Sequence, residues 1–414
     1  MEYGCIGEKL KHSFSKEIHA LFADYKYELK EIPRDNLRDF MLAKDFCGIN
    51  VTIPYKREVI PYLDFVSDTA SSINAVNTIV NKGGKLYGYN TDFYGMTALI
   101  NRAGIELAGK KVLILGSGGT SSTAYAVAKY LNAKEIYSVS RNGGEGLITY
   151  TQAYKSHADA EIIINTTPLG MYPNPDAVPL DLDKFRGLSG VVDAVYNPLR
   201  TKLVLEAQKR GIKATGGLYM LVAQAARAVE LFLDKEITTQ EIEKVYRKIK
   251  AQKQNIVLIG MPSSGKSTIG KELAKKLDFN FYDTDEMVVD RAKMPIRDIF
   301  ASVGEQGFRK IESEAVAEAS NFSGAVIATG GGAILDPKNV EKLRQNGKIY
   351  FIDRPLDWLT TTDDRPLSSN KADLEKLYLE RYPKYKAAAD VVYSGVNDLD
   401  KNVDFILKDI KEMI

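Results

Sequence analysis

Short apolar runs recur along the chain, and each is followed by a stretch that repeats apolar residues at three- and four-residue spacing. The runs are KVLILG (111–116), EIIIN (161–165), VVDAVY (191–196), NIVLIG (255–260), AVIATG (325–330) and KIYFID (348–353). Uninterrupted Val, Ile and Leu suit strands covered on both faces, so the pattern predicts parallel sheets in an α/β layered architecture. Ala124, Val127, Ala128 and Leu131 mark the buried face of a helix behind the first run, and Ile269, Leu273 and Leu277 do so behind the fourth. A further helix is predicted over TTQEIEKVYRKIK, with Ile242, Val245, Tyr246 and Ile249 on one face and Thr238 and Glu241 spaced as a capping box. The polar residues 251–254 after it read as a short joint between 1–250 and 255–414, which would keep the two parts close. There is no internal repeat and no low-complexity tract.

Composition narrows this only a little. A chain of 414 residues fits two or three domains at about 150 residues each. Apolar content of 44% and charged content of 27% are ordinary for a globular protein with a core. A net charge of +2 gives no field that would attract nucleic acid or an anionic membrane. Cys5 and Cys47 are the only cysteines, too few to staple such a chain, so a reducing compartment is expected. The opening residues are polar and mixed, unlike a signal peptide, and no apolar run nears the roughly 20 residues that cross a bilayer.

Candidate chemistry is densest in the second part. Gly260-x-x-x-x-Gly265-Lys266-Ser267 stands between a buried strand and a helix. In that context backbone N–H groups and the helix N-terminus point at the phosphates of a bound nucleotide. Ser263, Ser264, Gly265, Lys266, Ser267 and Thr268 are then nucleotide-binding candidates, Lys266 for the terminal phosphates and Ser267 for Mg²⁺. FYDTDEMV (281–288) places Asp283 and Asp285 at a strand end, two apart and so on one side. GEQGFRKIE holds Arg309, and VIATGGGA ends a buried strand in Gly330, Gly331 and Gly332, where a ligand can approach the backbone.

With DDRPL and LYLERYPKYKAAADVVY, these segments resemble shikimate kinase across 251–414. The resemblance implies a P-loop α/β/α domain with a parallel sheet, ATP and Mg²⁺ as cofactors, and shikimate as substrate. Asp285 would orient the attacking hydroxyl. Arg309 and Arg381 would clamp the carboxylate, for which the guanidinium fork is suited. Gly331 and Gly332 would line the same pocket, Asp283 would act on the Mg²⁺ shell, and Arg365 would stabilise the transferring phosphoryl group. The segment DWLTTTDDRPL is shorter than the family's lid and has Thr and Asp where an adenine-packing arginine usually stands.

The first part carries a second strand–glycine loop–helix. Gly116-Ser117-Gly118-Gly119-Thr120-Ser121 follows KVLIL, with serine at the third glycine position of the dinucleotide pattern. The next strand ends in Ser140-Arg141-Asn142, and an arginine there suits the 2′-phosphate of NADP better than the ribose hydroxyl of NAD. GGEG follows rather than a second basic residue. Upstream, GINVTIPYKREV carries Thr52 and Lys56, INAVNTIV carries Asn77, and YGYNTDFYG carries Asn90, Thr91 and Asp92. Hydride delivered to a ketone leaves charge on oxygen, and a cation that also donates a proton answers that need. Lys56 can be both, and a nearby Asp92 would support its charged form.

These signatures, with KHSFSKEIH, INTTPLGM, DAVYNPLRTKL and GGLYMLVAQAARAVELF, resemble shikimate dehydrogenase over essentially all of 1–250. The resemblance implies an α/β substrate-binding part (1–97 with 218–250) and a Rossmann-type NADP-binding part (98–217). Lys56 and Asp92 would be the catalytic pair. Ser13, Ser15, Thr52, Asn77 and Gln224 would hold the substrate's carboxylate and hydroxyls, with Tyr196 beside them. Gly217 and Met220 would border the nicotinamide, and Asn165 and Thr166 the phosphate–ribose region. Lys16 replaces the family's usual proline. His12 and His19 stand seven apart with no metal-ligating neighbours and read as structural or pocket-edge residues.

The implied protein is a cytoplasmic bifunctional enzyme: NADPH-dependent reduction of 3-dehydroshikimate to shikimate, then phosphorylation to shikimate 3-phosphate. Its partners would be these small molecules, with no nucleic acid and no membrane. Three rivals stay open: a quinate dehydrogenase using NAD, a kinase for another hydroxylated acid such as gluconate, and a nucleotide-dependent metabolite-sensing module.

Overall fold

The computed structural model describes residues 1–10, 14–360 and 371–413. The chain divides into two compact units, Met1–Ile249 and Lys250–Ile414.

The first unit holds two six-stranded sheets. One is built from β1 (Tyr3–Gly7), β2 (Tyr27–Glu31), β3 (Gly48–Val51), β4 (Phe65–Val66), β5 (Thr78–Lys82) and β6 (Lys85–Tyr89), in the order β2-β1-β3-β5-β6-β4. It is mixed rather than parallel: β5 runs antiparallel to both β3 and β6. The cause is local. Gly83 and Gly84 both adopt positive φ (+61° and +84°), so β5 turns straight back into β6 as a two-residue hairpin. The other sheet is fully parallel, with β7 (Lys111–Leu115), β8 (Glu135–Ser140), β9 (Leu147–Thr149), β10 (Ile162–Asn165), β11 (Gly190–Asp193) and β12 (Lys213–Thr215) in the order β12-β11-β10-β7-β8-β9.

Helices Thr91–Arg102 and Leu218–Leu233 pack on each other. They approach closely because position 95 is glycine: a Cβ there would stand 2.5 Å from the Met220 carbonyl oxygen and 3.0 Å from Gln224 Cβ. Their buried faces share one apolar cluster with Ile114 of β7, Ile164 of β10 and Ile242, Val245 and Ile249 of helix Thr239–Lys253. The capping box forms as the spacing predicts, Thr238 N donating to Glu241 Oε2 (2.8 Å) and Glu241 N to Thr238 Oγ1 (3.3 Å). The helix continues through Ala251–Lys253, where a joint was expected. No Gly or Pro interrupts those residues, and Lys250 and Lys253 fall where the helix dipole favours cations.

The second unit contains β13 (Asn255–Ile259), β14 (Asn280–Asp283), β15 (Ala325–Ala328), β16 (Gly347–Asp353) and β17 (Val391–Ser394), parallel in the order β14-β15-β13-β16-β17. Successive residues of β13 serve opposite faces. Ile256 and Leu258 pack with Ile269 and Leu273 of helix Lys266–Leu277 and with Val403, Ile406 and Ile410. Val257 and Ile259 pack with Val316, Ala319, Leu343 and Tyr385. The central strand therefore delivers its carboxyl end, and the glycine loop behind it, to the switch point between β15 and β16, where ligands bind in open α/β sheets.

Candidate active sites

In the first unit a chain of backbone contacts fixes Lys56. Val51 N donates to Asn77 O (2.8 Å), a cis Ile53–Pro54 peptide turns the chain, and Val76 N donates to Lys56 O (2.8 Å). The Lys56 ammonium lies 2.5 Å from Asp92 Oδ2. Asp92 occupies the first turn of helix Thr91–Arg102, which Asn90 caps by accepting from Phe93 N (3.2 Å) while donating to Ala75 O (2.9 Å). Asn77 is buried, and its Oδ1 accepts from Thr91 N (2.7 Å) and from the Thr91 and Thr78 hydroxyls. The Lys56 side chain keeps 21% exposure against 8% for Asp92, so the ammonium is the partner that reaches solvent.

The other residues expected here occupy distinct supports. Ser15 opens helix Ser15–Phe22, and Tyr196 meets Phe14 edge-on with ring centroids 5.4 Å apart. Thr52 follows β3 and is partly buried. Gln224 and Met220 lie where Gly95 admits the facing helix. Gly217 precedes helix Leu218–Leu233, and its N–H donates to Val195 O (2.9 Å). Ser13 and His12 lie outside the described residues. His19 is fully buried, stacked on Tyr27 (centroids 3.9 Å) with Nδ1 2.6 Å from the Tyr25 hydroxyl. Burial pushes its pKa down to about 3, which fits the structural role read from the sequence.

The dinucleotide loop leaves β7 through Gly116 at φ +116°, and Gly118 precedes helix Gly119–Tyr130. A Cβ on Gly118 or Gly119 would meet nothing within 4 Å, so these two positions offer open backbone. Ser117 and Thr120 stand in the same turn. Ser121, expected on the cofactor, donates its hydroxyl back to Gly116 O (2.8 Å) and ties the loop to the helix. Arg141 is exposed just past β8, while the Ser140 hydroxyl donates to Gly143 O (3.1 Å) and Asn142 is exposed.

Asn165 and Thr166, expected near the phosphate–ribose region, both hydrogen-bond within the protein. Asn165 Nδ2 donates to Asp193 Oδ1 (2.9 Å), its Oδ1 accepts from Thr167, and the Thr166 hydroxyl donates to Leu115 O (2.6 Å). For Asn165 the partner is Asp193, a fully buried carboxylate at the end of β11 that needs donors. It also accepts from Val195 N (3.0 Å) and the Thr201 hydroxyl (2.6 Å), and burial still raises its pKa to about 6. The sequence reading passed over Asp193, although an acid inside VVDAVY was a signal.

In the second unit Gly260 (φ +151°) and Gly265 (φ +88°) bend the loop that leads into helix Lys266–Leu277. The Lys266 ammonium donates to Gly260 O (3.0 Å) and Met261 O (2.9 Å). Ser267 donates its hydroxyl to Asp283 Oδ2 (2.6 Å). Asp283 and Asp285 do converge, but not as alternate residues of one strand. Asp283 ends β14 and caps helix Thr284–Ala292 by accepting from Asp285 N (2.9 Å), so Asp285 belongs to the helix's first turn.

At Gly330, Gly331 and Gly332 the groups that come close to the backbone are the protein's own side chains. A Cβ on Gly330 would overlap Asp285 Oδ1 and stand 2.8 Å from Glu312 Oε1, and one on Gly332 would overlap the Arg309 guanidinium. Gly331 meets Pro262 of the phosphate loop, and its carbonyl accepts from the Tyr385 hydroxyl (2.5 Å). Arg309, on the kinked helix Ile296–Ser320, donates to Glu312 Oε2 (2.8 Å) and Glu305 Oε1 (3.1 Å). Glu312 is 1% exposed; burial raises its pKa and the Arg309 charge opposes that rise. Arg381 is 4% exposed, and its buried Nε has no hydrogen-bond partner among the described residues. One cleft of about 480 Å³ is lined by both Lys266, Ser267 and Asp283 and by Asp285, Arg309, Glu312 and Arg381. Ser263 and Thr268 line it too, while Ser264 is fully buried in the loop. Arg365 lies outside the described residues. Glu312 and Tyr385 were missed as site residues; both stand one helical turn from a residue that was found, Arg309 and Arg381.

The folds and sites define a chain that joins a Rossmann-type oxidoreductase to a P-loop phosphotransferase. Residues 5–79 match the family model of the shikimate dehydrogenase substrate binding domain, and residues 262–411 match that of shikimate kinase. The NADP(+) shikimate dehydrogenase of Clostridium beijerinckii is 39% identical over 262 residues, 59% of this chain and 96% of that protein. The chorismate mutase/shikimate 5-dehydrogenase fusion of Clostridium acetobutylicum superposes with a TM-score of 0.57 at 35% identity, over 60% of this chain and 96% of that one. The Thermus thermophilus enzyme in complex with NADP(H) and shikimate gives 0.54 at 28% identity, over 60% and 99%. The chain belongs to the shikimate dehydrogenase family and carries a shikimate kinase domain at its C-terminal end. Among the described residues no helix is long and apolar enough to cross a membrane.

Proposed function

We propose that this chain reduces 3-dehydroshikimate to shikimate with NADPH in its first unit and phosphorylates shikimate with Mg-ATP in its second. The observation that carries the reading is the presence in one chain of two donor sets: the Lys56–Asp92 pair beside Asn77, and a cleft joining a phosphate loop to Asp285, Arg309 and Arg381.

NADPH along Gly116–Gly119 would supply a hydride, and the open backbone at Gly118 and Gly119 fits a pyrophosphate there. As the hydride reaches the carbonyl carbon, Lys56 gives a proton to the oxygen, and Asp92 holds the ammonium in place. Asn77 has committed its Oδ1 to Thr91 and Thr78, so Nδ2 is the group it offers a substrate hydroxyl. Exposed Arg141 supports the preference for NADP.

In the second unit the hydroxyl and carboxylate oxygens of Ser267 and Asp283 are the hard donors Mg²⁺ takes, and these residues would hold it. Asp285 accepts the proton of the attacking shikimate hydroxyl as the phosphoryl group transfers. Arg309 and Arg381 take the carboxylate, and Glu312 sets the angle of Arg309. Arg365 would stabilise the charge on the transferring phosphoryl group. The chain order follows the order of reaction, and the unpaired thiols Cys5 and Cys47 fit a cytoplasmic enzyme.

Two single substitutions test the assignment. Lys56→Ala abolishes reduction and leaves phosphorylation intact; Lys266→Ala does the reverse. Loss of both activities from either change contradicts separate sites. Nucleotide hydrolysis that ignores shikimate would favour a sensing module instead.

A further inference from the structure

Arg354 is the first residue after β16, the strand beside β13, whose end enters the phosphate loop. Its guanidinium stands against that loop: a Cβ on Gly265 would lie 3.8 Å from Arg354 Nη2 and 3.9 Å from its Cζ. Gly395, just past β17, packs on the Arg354 stem, a Cβ there falling 3.2 Å from Arg354 Cγ. Among the described residues the head group makes one hydrogen bond, from Nη2 to Val396 O (3.2 Å). Nε is buried with no partner, and among the described residues no carboxylate lies within ion-pair distance of this arginine. Its neighbour Asp353 is engaged elsewhere, accepting from the Tyr382 hydroxyl (3.1 Å).

A guanidinium carries five N–H donors and a permanent charge, and a partly buried one is normally matched by an anion. Here the described residues supply a single carbonyl. The unmatched charge sits beside the loop whose N–H groups would take the phosphates in the kinase reading. We propose that Arg354 is a nucleotide-binding residue of the kinase unit, its guanidinium contacting a phosphate of ATP on the flank of the loop opposite the shikimate side. This rests on the kinase reading above. A phosphate contact raises affinity for any nucleoside triphosphate and does not read the base.

The test uses the full chain. Arg354→Gln keeps an N–H for Val396 O and removes the charge; Arg354→Lys keeps the charge and loses the fork. The KM for ATP rises about tenfold in Arg354→Gln, as loss of one charged hydrogen bond implies, and rises less in Arg354→Lys. The KM for shikimate, the ATP-to-GTP ratio and the melting temperature stay near wild type. Calorimetric titration with Mg-ADP shows the same order without turnover. Wild-type and Arg354→Gln chains that bind Mg-ADP equally overturn the assignment and leave the kinase reading standing. A changed ATP-to-GTP ratio overturns the phosphate contact in favour of the base. A wild-type chain that binds no nucleotide takes down both readings.

Discussion

Gly330→Ala puts one methyl group where the kinase cleft has no room for it. Gly330 lies outside the left-handed backbone region, so alanine brings no strain of its own. The added carbon would overlap Asp285 Oδ1 and stand 2.8 Å from Glu312 Oε1. An ordinary carbon–oxygen approach is about 3.3–3.6 Å, so Glu312 must retreat by roughly 0.5–0.8 Å and Asp285 by more. The Glu312 carboxylate is held by Arg309 and the Asp285 backbone N–H by the Asp283 cap, so the displacement passes into the groups meant to hold shikimate. A misplacement of about 1 Å at a reacting group costs on the order of 10²-fold in rate. We therefore expect kcat/KM for shikimate to fall about 100-fold, read by ADP release in a coupled assay. Dehydrogenase activity in the same preparation stays unchanged, and an unchanged affinity for Mg-ADP serves as the folding control for the second unit. Gly331→Ala, whose Cβ would lie 3.0 Å from Pro262 Cδ, should cost less, because a few tenths of an ångström relieve it. A Gly330→Ala enzyme within threefold of wild type would refute the reasoning, since it would mean that Asp285 can move without consequence.

Gly118→Ala should leave the melting temperature unchanged, because its Cβ meets nothing within 4 Å, and should raise the KM for NADPH about tenfold by standing in the path of the cofactor. Glu312→Gln keeps a hydrogen bond to Arg309 but removes the charge that orients it; the KM for shikimate should rise while that for ATP holds, in steady-state kinetics. His19 has its pKa lowered to about 3 by burial, below the unfolded value near 6.5. Its contribution is therefore present above pH 6.5 and is lost as pH falls toward 3, at about 1.4 kcal/mol per pH unit. His19→Asn, which can keep the Tyr25 hydrogen bond, should flatten that part of the acid limb in urea titrations; an unchanged slope between pH 6 and pH 4.5 would count against the buried neutral imidazole.

The apolar runs located six of the strands because unbroken Val/Ile/Leu segments have few other uses in a chain of this kind. The first sheet was harder to read. Its strands carry Tyr, Lys, Glu and Asn, and its antiparallel pair depends on the turn at Gly83–Gly84, a signal that was present and not weighed. Residue types with one demanding job, such as Lys56, Asp92, Lys266 and the glycines at 330–332, could be picked out from sequence. Residues that serve by being buried could not. Glu312 looks like any surface acid until the packing around it is known, and the one signal at Asp193, an acid inside an apolar run, does not say which groups it holds. Spacing also misled where two elements meet: Asp283 and Asp285 share a site because one caps the other's helix, not because a strand alternates.

The central claim is that both reactions occur in this one chain, the first feeding the second. Supplying the full chain with 3-dehydroshikimate, NADPH and Mg-ATP together and following the products by mass spectrometry tests it directly. The account predicts shikimate 3-phosphate, with shikimate as an intermediate that accumulates when ATP is withheld. No phosphorylated product, or none derived from the ketone, would contradict it.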